Sequence, residues 1–573
     1  MYDGTGIQKA VSSINEGAGA RLLRALIFIC GALVLFAVYA HSHSPGFKDP
    51  ETMEEAQVAR NMARGKGFTT LCLRPSDFGY FTRLSDGRVP DIRNEPVYPA
   101  LLSALFKGIN PPDRMERSLL HPGMKVFAPE QRAVIPFAVL LSIASAGILF
   151  MLGNKLFNPN TGILSAVLFL LSDTVLYQGI SGSRIPLLTF FCLISFYAAL
   201  PSGTKRPGKD SGMRILRRAA FAAVPCALAF LTDYSAAALF PCLAALTGLS
   251  HGRFRPGATI VFAAVFAAII FPWLARNIEI SQRPLGAAPD RVMLNSEKHP
   301  GRTFERTPSA RVSLPSLVRA ARQKVLRNIP QAVDLFRRNC GHGLILCLFL
   351  LSLFVPSRSY ESGALKWFTA SAGLLMVLFL AVSGDTDSSL PAILLPPVTL
   401  AGAAFFLQII EKHTPPVAEW RALPVTALAC LAAVATAAAT WRNEREESAA
   451  ARASAFIDYT EQFMRNGDTI CTDIPRATAW YANRTSLLLP VSVEEFRKIN
   501  KEHLTINALY LTPRTTDKPY TTGLRDGPDN SWLGIINGSV PEDFPLTHGL
   551  YMPFEKHEHL FLTTSIADSP SSR

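Results

Sequence analysis

Apolar stretches of roughly 16–22 residues recur along the chain between polar ones, and about 20 apolar residues suffice to cross the hydrocarbon of a bilayer. In order, they predict spans at about 22–40, 133–153, 162–178, 186–200, 217–232, 236–250, 258–275, 341–356, 367–383, 390–409 and 422–440. The expected fold class is a polytopic α-helical membrane protein of about 11 spans. The first run follows a mixed polar start and lacks a small-residue cleavage site. It reads as a start-transfer span that stays in place.

Two further periodic stretches are too short to span and read as amphipathic surface helices of the first loop. In 47-FKDPETMEEAQVARNMARGKGFTT-70, Asp49 is a preferred N-cap and Pro50 a preferred first helical residue. Met53, Ala56, Ala59, Met62 and Ala63 follow at helical spacing, and Gly65 and Gly67 stop the helix. The pattern predicts a helix lying on the membrane surface, with Glu51 and Glu55 on one face. Asp49 reads as the cap, and Glu54 as a dipole complement on a solvated face. For Glu51 that plain reading stands beside a catalytic one. The second surface helix is expected in 95-EPVYPALLSALFKG-108. Between the two, Arg74, Asp77, Arg83, Asp86, Arg88, Asp91 and Arg93 form a ribbon dense in both charges.

Charge then orients the spans. Lys155, the cluster from Lys205 to Arg218, Arg253 and Arg255, Arg358 and Lys366, and Lys412 and Arg421 all fall on alternate short loops, which the positive-inside rule assigns to the cytoplasm. The N-terminus is then inside and the C-terminus outside. Segments 41–132, 276–340 and 441–573 face the exterior, dividing the chain into a transmembrane domain, 1–440, and an exterior α/β domain, 441–573. Neither an internal repeat nor an inverted pair of broken spans is present, which argues against a secondary transporter.

Composition agrees. Nearly half the residues, 49%, are hydrophobic, too many for an ordinary soluble enzyme. The net charge of +13 reads as topology and lipid-headgroup contact, with no nucleic acid expected. Nine cysteines without a C-x-x-C pair give no disulfide framework and no zinc site. His41 and His43 with Asp49 are weak metal ligands, and no structural metal is expected.

Beyond residue 445 the apolar runs shorten. A helix is expected over 446–465, short strands in 468–474, 485–490 and 505–512, and helices at 475–483 and 492–503, the last opened by Ser492 with Glu495 as a capping box. Alternating strands and helices predict a small, mostly parallel sheet. Asn483 and Asn537 head glycosylation sequons, which would mean nothing if the protein is bacterial.

The order of first span, acidic residue, Ala59-Arg60-Asn61-Met62, Gly65-x-Gly67-Phe68 and Pro96-x-Tyr98-Pro99 resembles the glycosyltransferase C superfamily. It is most similar to bacterial members related to aminoarabinose transferase and the protein O-mannosyltransferases. The stretches 271-FPWLARNIEISQRPLG-286, 181-SGSRIPLLTF-190 and 470-ICTDIPRATAWYANRTSLLLP-490 are similar to family segments too. The resemblance implies an integral enzyme of the bacterial cytoplasmic membrane. It would move a sugar from a polyprenyl-phosphate donor to a hydroxyl of a lipid, glycan or protein acceptor on the exterior face.

Counting back from Ala59, the family's catalytic aspartate falls on Glu51, or on Asp49 if the register slips by two, and Glu55 stands where an aromatic residue is common. A carboxylate at a water–lipid boundary suits a general base. Glu51 is expected in that role, with Glu55 or Asp49 positioning it. Arginine suits the donor phosphate; Arg276, Arg184 and Arg132 are the candidates, in that order. Tyr98, Trp273 and Asp233 are candidate substrate contacts. No cofactor is required, with room left for a divalent cation. The alternative is a non-catalytic or transport-type protein that binds lipid-linked saccharides.

Overall fold

A computed structural model describes residues 18–43, 46–80, 89–109, 131–200, 212–250, 253–308, 312–340, 343–357, 359–384, 389–415, 418–442, 454–465, 467–516, 518, 522–550 and 559–564. Every predicted span is helical. The helices are α1 (Ala18–His43), α2 (Pro50–Ala63), α3 (Val97–Ile109), α4 (Gln131–Leu156), α5 (Pro159–Leu170), α6 (Asp173–Ser181), α7 (Ile185–Ala199), α8 (Gly212–Phe230), α9 (Phe240–Gly248) and α10 (Pro256–Ser281). After them come α11 (Leu314–Asn339), α12 (Gly343–Leu353), α13 (Tyr360–Ser383), α14 (Leu395–His413) and α15 (Ala418–Arg442).

Among the described residues six helices are long and apolar enough to cross a membrane. The pair α5 and α6, bent by 58° at its break, makes a seventh, while α7, α9 and α12 are shorter apolar helices. The molecule is a multi-pass membrane protein. Its bundle packs through small residues: a Cβ on Gly153 of α4 would lie 2.5 Å from the Gly162 Cα of α5, so these backbones touch.

At one end of the bundle the three long polar segments meet. Strands β1 (Thr69–Thr70) and β3 (Val89–Pro90) form a small antiparallel pair. The main sheet comprises β2 (Cys72–Leu73), β4 (Ile470–Thr472), β5 (Ser486–Leu488), β6 (Ala508–Leu511), β7 (His548–Leu550) and β8 (Leu560–Thr563), in the order β2-β5-β4-β6-β8-β7. Its first three pairings are parallel and the last two antiparallel. Strands β4, β5 and β6 and the helices α17 (Pro475–Tyr481) and α18 (Val493–Glu502) fall where the pattern predicts, whereas the antiparallel β7 and β8 were not anticipated. The expected helix at 446–465 is seen from Ser454 as α16 (Ser454–Thr460) and a 3-10 turn to Phe463, its start lying outside the described residues. The first loop's contribution to the sheet was unexpected: β2 pairs in parallel with β5, Cys72 opposite Ser486.

Helix α2 has the predicted bounds, and Gly65 takes the left-handed φ of 71° just past its end. Its surroundings correct the surface reading. Residues 52–61 are all buried, because α3 packs on one side and α17 on the other. Glu54, expected on a solvated face, is buried between two arginines: Arg74 forks onto it at 2.8 and 3.0 Å, and Arg476 of α17 reaches it at 2.7 Å. The Arg60 guanidinium lies 3.7 Å over the Trp480 ring and donates to the Trp480 carbonyl at 2.7 Å. Periodicity shows which residues share a face, and here that face meets protein from the far end of the chain.

Candidate active site around Arg184

Helix α2 presents Glu51 and Glu55 one turn apart on the same side, as the i, i+4 spacing requires. Facing them is Arg184, held in the tight turn between α6 and α7 where Gly182 takes φ 68°. A side chain at residue 182 would run into Phe47, whose ring carbons lie 2.6 Å from the position of a Cβ. Arg184 is a hub for carboxylates: Nη1 donates to Glu55 at 2.5 Å, Nη2 to Glu51 at 3.2 Å, and Nε to Asp233 at 2.8 Å. Asp233 caps the turn after α8, accepting from the Ser235 amide at 2.9 Å and from the Ser235 hydroxyl.

The acids differ in exposure. The Glu51 side chain is 34% exposed, against 2% for Glu55 and 7% for Asp233. Burial pushes Glu51 up, but the guanidiniums of Arg291 and Arg184 outweigh it and hold the carboxyl well below the usual range. Arg291, from the 3-10 turn Ala288–Met293, is a loose partner, 4.0 Å from Glu51 and 38% exposed. For Glu55, burial dominates: it pushes the carboxyl up to about 8 against the pull of Arg184, with Glu95 and Glu51 adding to the rise. Its Oε2 is buried without a hydrogen-bond partner, which fits a carboxyl that keeps its proton. Glu95 behaves likewise, raised to about 7 by burial and by Asp233, with its own Oε2 orphaned. Glu51, Glu55 and Asp233 thus share Arg184, and burial favours the protonated form of Glu55 and Glu95.

The structure brings together Glu51, Glu55, Arg184 and Asp233. Tyr98 lies behind them, its phenol donating to the Gly182 carbonyl, so it braces the Arg184 turn. Asp49 is the N-cap residue of α2, but its side chain bonds no helix amide, and the Arg184 side chain holds Glu51, Glu55 and Asp233. Trp273 donates to the Tyr234 hydroxyl at 2.6 Å, and the Tyr234 amide donates to Glu95 at 3.2 Å, linking α10 to the cluster.

Arg276 lies beside Trp273 and Phe68, donating to the Asp91 carbonyl at 2.6 Å and the Asn277 side chain at 2.9 Å. Arg132 is exposed at the start of α4 and, among the described residues, makes no bond to the cluster. Glu95 and Arg291 had no individual signal in the sequence beyond a charged loop. Among the described residues no group of three or more His, Cys, Asp or Glu is placed to hold a metal ion.

A multi-pass bundle with a loop helix packed against a terminal sheet is the fold of a solved membrane protein. In particular, the chain is similar to the crystal structure of ArnT from Cupriavidus metallidurans bound to undecaprenyl phosphate. The TM-score is 0.52 at 11% identity, over 94% of this chain and 98% of that one. A looser likeness, TM-score 0.48 at 11% identity, relates it to the oligosaccharyltransferase AglB of Archaeoglobus fulgidus in complex with an inhibitory peptide and a dolichol-phosphate, over 88% of this chain and 71% of that one. No family model and no curated protein matches the sequence.

Proposed function

We propose that the chain is a membrane glycosyltransferase that takes a sugar from a polyprenyl-phosphate carrier and passes it to an acceptor hydroxyl on the exterior face, in a bacterial cytoplasmic membrane. One observation carries this reading: of the acids around Arg184, Glu51 alone keeps an open face, and it sits between one firmly bonded arginine and one loose one. The fold shared with ArnT, which was crystallised with undecaprenyl phosphate, supports a lipid-phosphate donor.

In the proposed step Glu51 accepts the acceptor's hydroxyl proton, the new bond forms at the sugar C1, and the bond from C1 to the carrier phosphate breaks. Charge grows on the leaving phosphate, and Arg291 is free enough to meet it. Free Glu51 is a weak base, held acidic by two guanidiniums. When Arg291 turns to a phosphate, that hold slackens and the carboxylate becomes a better proton acceptor. Arg184 keeps the carboxylate in place, and Asp49, the N-cap residue just before α2, stands as the competing base.

The test is transfer of labelled sugar from polyprenyl-phosphate donors to membrane acceptors in oriented vesicles. Glu51→Gln should lower the rate about 10²–10⁴-fold, the usual range for removing a general base. Asp49→Asn should change it little. Loss with Asp49→Asn alone would move the base to Asp49. Absence of transfer by the wild type with every donor, despite donor binding, would favour the reading as a saccharide-lipid binding or transport protein.

A further inference from the structure

Helix α11 lies in the loop that hydropathy leaves outside the membrane, yet it follows a membrane span. Lys324 donates to the Ser383 carbonyl at 2.6 Å and Asn328 to the Ala381 carbonyl at 3.1 Å. Twelve positions on from Lys324, Phe336 lies 3.3 Å from where a Cβ on Gly373 would stand. The second half of α11 therefore runs antiparallel along the final turns of α13, a helix long and apolar enough to cross the bilayer. Its first half continues past the end of α13 and packs on Met293 and Phe304. Ala320, Lys324, Asn328 and Ala332, at intervals of four, form the buried stripe that makes these contacts.

The opposite face of α11 is open. Leu314 is 73% exposed, Val318 61%, Leu326 81% and Val333 51%. Among them stand exposed Arg319, Arg322 and Arg327, while Arg337 and Arg338 both pair with Asp334. Large apolar side chains laid open in a row are unusual against water. Interleaved with arginines and positioned beside a span, they match the boundary of a bilayer, where apolar groups enter the acyl region and guanidiniums meet phosphates. A nucleic acid or an acidic protein would satisfy the arginines and leave Leu326 uncovered.

We infer that α11 is a membrane-contacting helix whose open face binds anionic phospholipid: Val318, Leu326 and Val333 enter the leaflet, and Arg319, Arg322 and Arg327 hold lipid phosphates. The contact reaches the candidate site. Lys324, on the opposite face, also donates to the Val292 carbonyl at 3.1 Å and the Leu294 carbonyl at 2.6 Å, fixing the chain immediately after Arg291. Lipid on α11 thus steadies the turn that presents Arg291 to Glu51.

The inference does not depend on sugar transfer, and neither does its test. A benzophenone amino acid is placed at residue 326, and separately at 318, in the full chain purified into vesicles of phosphatidylethanolamine with a minority of phosphatidylglycerol. After illumination the adducts are identified by mass. The expected result is phospholipid adducts at both positions, enriched in phosphatidylglycerol over its bulk share by on the order of fivefold for each arginine engaged. Changing Arg319, Arg322 and Arg327 together to Gln should bring that enrichment down to the bulk share. Cross-links between two copies of the chain would overturn the proposal by making the face an oligomer interface. Absence of any adduct at both positions would place the face in water and overturn it too. Lipid adducts without phosphatidylglycerol enrichment would overturn the assignment of the arginines.

Discussion

Helices α2 and α11 make an instructive pair. Both carry a proline in the first turn, both are amphipathic, and both lie among charged loop residues at the same end of the bundle. Periodicity gives each an apolar stripe at helical spacing. In the folded chain α2 is enclosed on both sides, its acids answered by Arg74, Arg184 and Arg476, whereas α11 is seated on α13 along one stripe and open elsewhere. The difference does not lie in the helices' own patterns. It comes from cover supplied by segments distant in sequence. A buried charge survives only with a counter-charge beside it, so α2 depends on those segments for stability.

Removing the hub should separate the two helices most sharply. Arg184→Gln leaves Glu51, Glu55 and Asp233 without their shared cation, and breaking a buried pair costs about 3–5 kcal/mol. The unfolding temperature in detergent should drop by several degrees, and Arg184→Lys should recover only part of it, since an ammonium cannot fork across three carboxylates. Next in size, Glu54→Gln leaves Arg476 without its carboxylate and Arg74 with Glu305 alone, and should cost roughly 3 kcal/mol. A solvated Glu54 would make the same change nearly silent, so thermal unfolding of this variant decides how completely α2 is covered.

A smaller effect concerns pH. An unfolded glutamate titrates near 4.3, whereas folded Glu55 is raised to about 8. Between these values the folded state holds a proton that the unfolded chain has released. Stability is therefore greatest at the acid end of that window and declines as pH rises toward 8. Glu54, held below its usual range by Arg74 and Arg476 despite its burial, contributes no slope there and loses its contribution only in stronger acid. Melting curves from pH about 5 to about 8 should slope downward in the wild type and less steeply in Glu55→Gln, where the raised Glu95 still contributes its share. The smallest change belongs to α11: Leu326→Gln, on an open face, should alter stability in detergent by no more than about 0.5 kcal/mol.

Much of this architecture was legible in the residues. Runs of apolar side chains locate every span, because lipid demands a minimum length of them. The i, i+4 spacing puts Glu51 and Glu55 on one face, and alternating strands and helices announce the small sheet. What escaped has a common cause. Glu54 reads as solvated because its arginines come from residues 74 and 476. Glu95 and Arg291 are ordinary members of charged loops until the turn at Arg184 gathers them. The pairing of β2 with β5 joins two short stretches whose own patterns say nothing of each other. Local periodicity records which side a residue faces, while the identity of what it faces is set by chain topology.

That last pairing also dictates a schedule. Strand β2 belongs to the first loop, yet its neighbour β5 lies about 400 residues further along the chain. At roughly 5–20 residues per second, synthesis of the intervening chain takes on the order of tens of seconds. Throughout that interval α2 lacks Arg476, which pairs with Glu54, and Trp480, which covers Arg60. The cover of α2 is therefore completed only when this distant segment arrives, and a chain stopped before residue 470 would carry Glu54 with Arg74 but without Arg476.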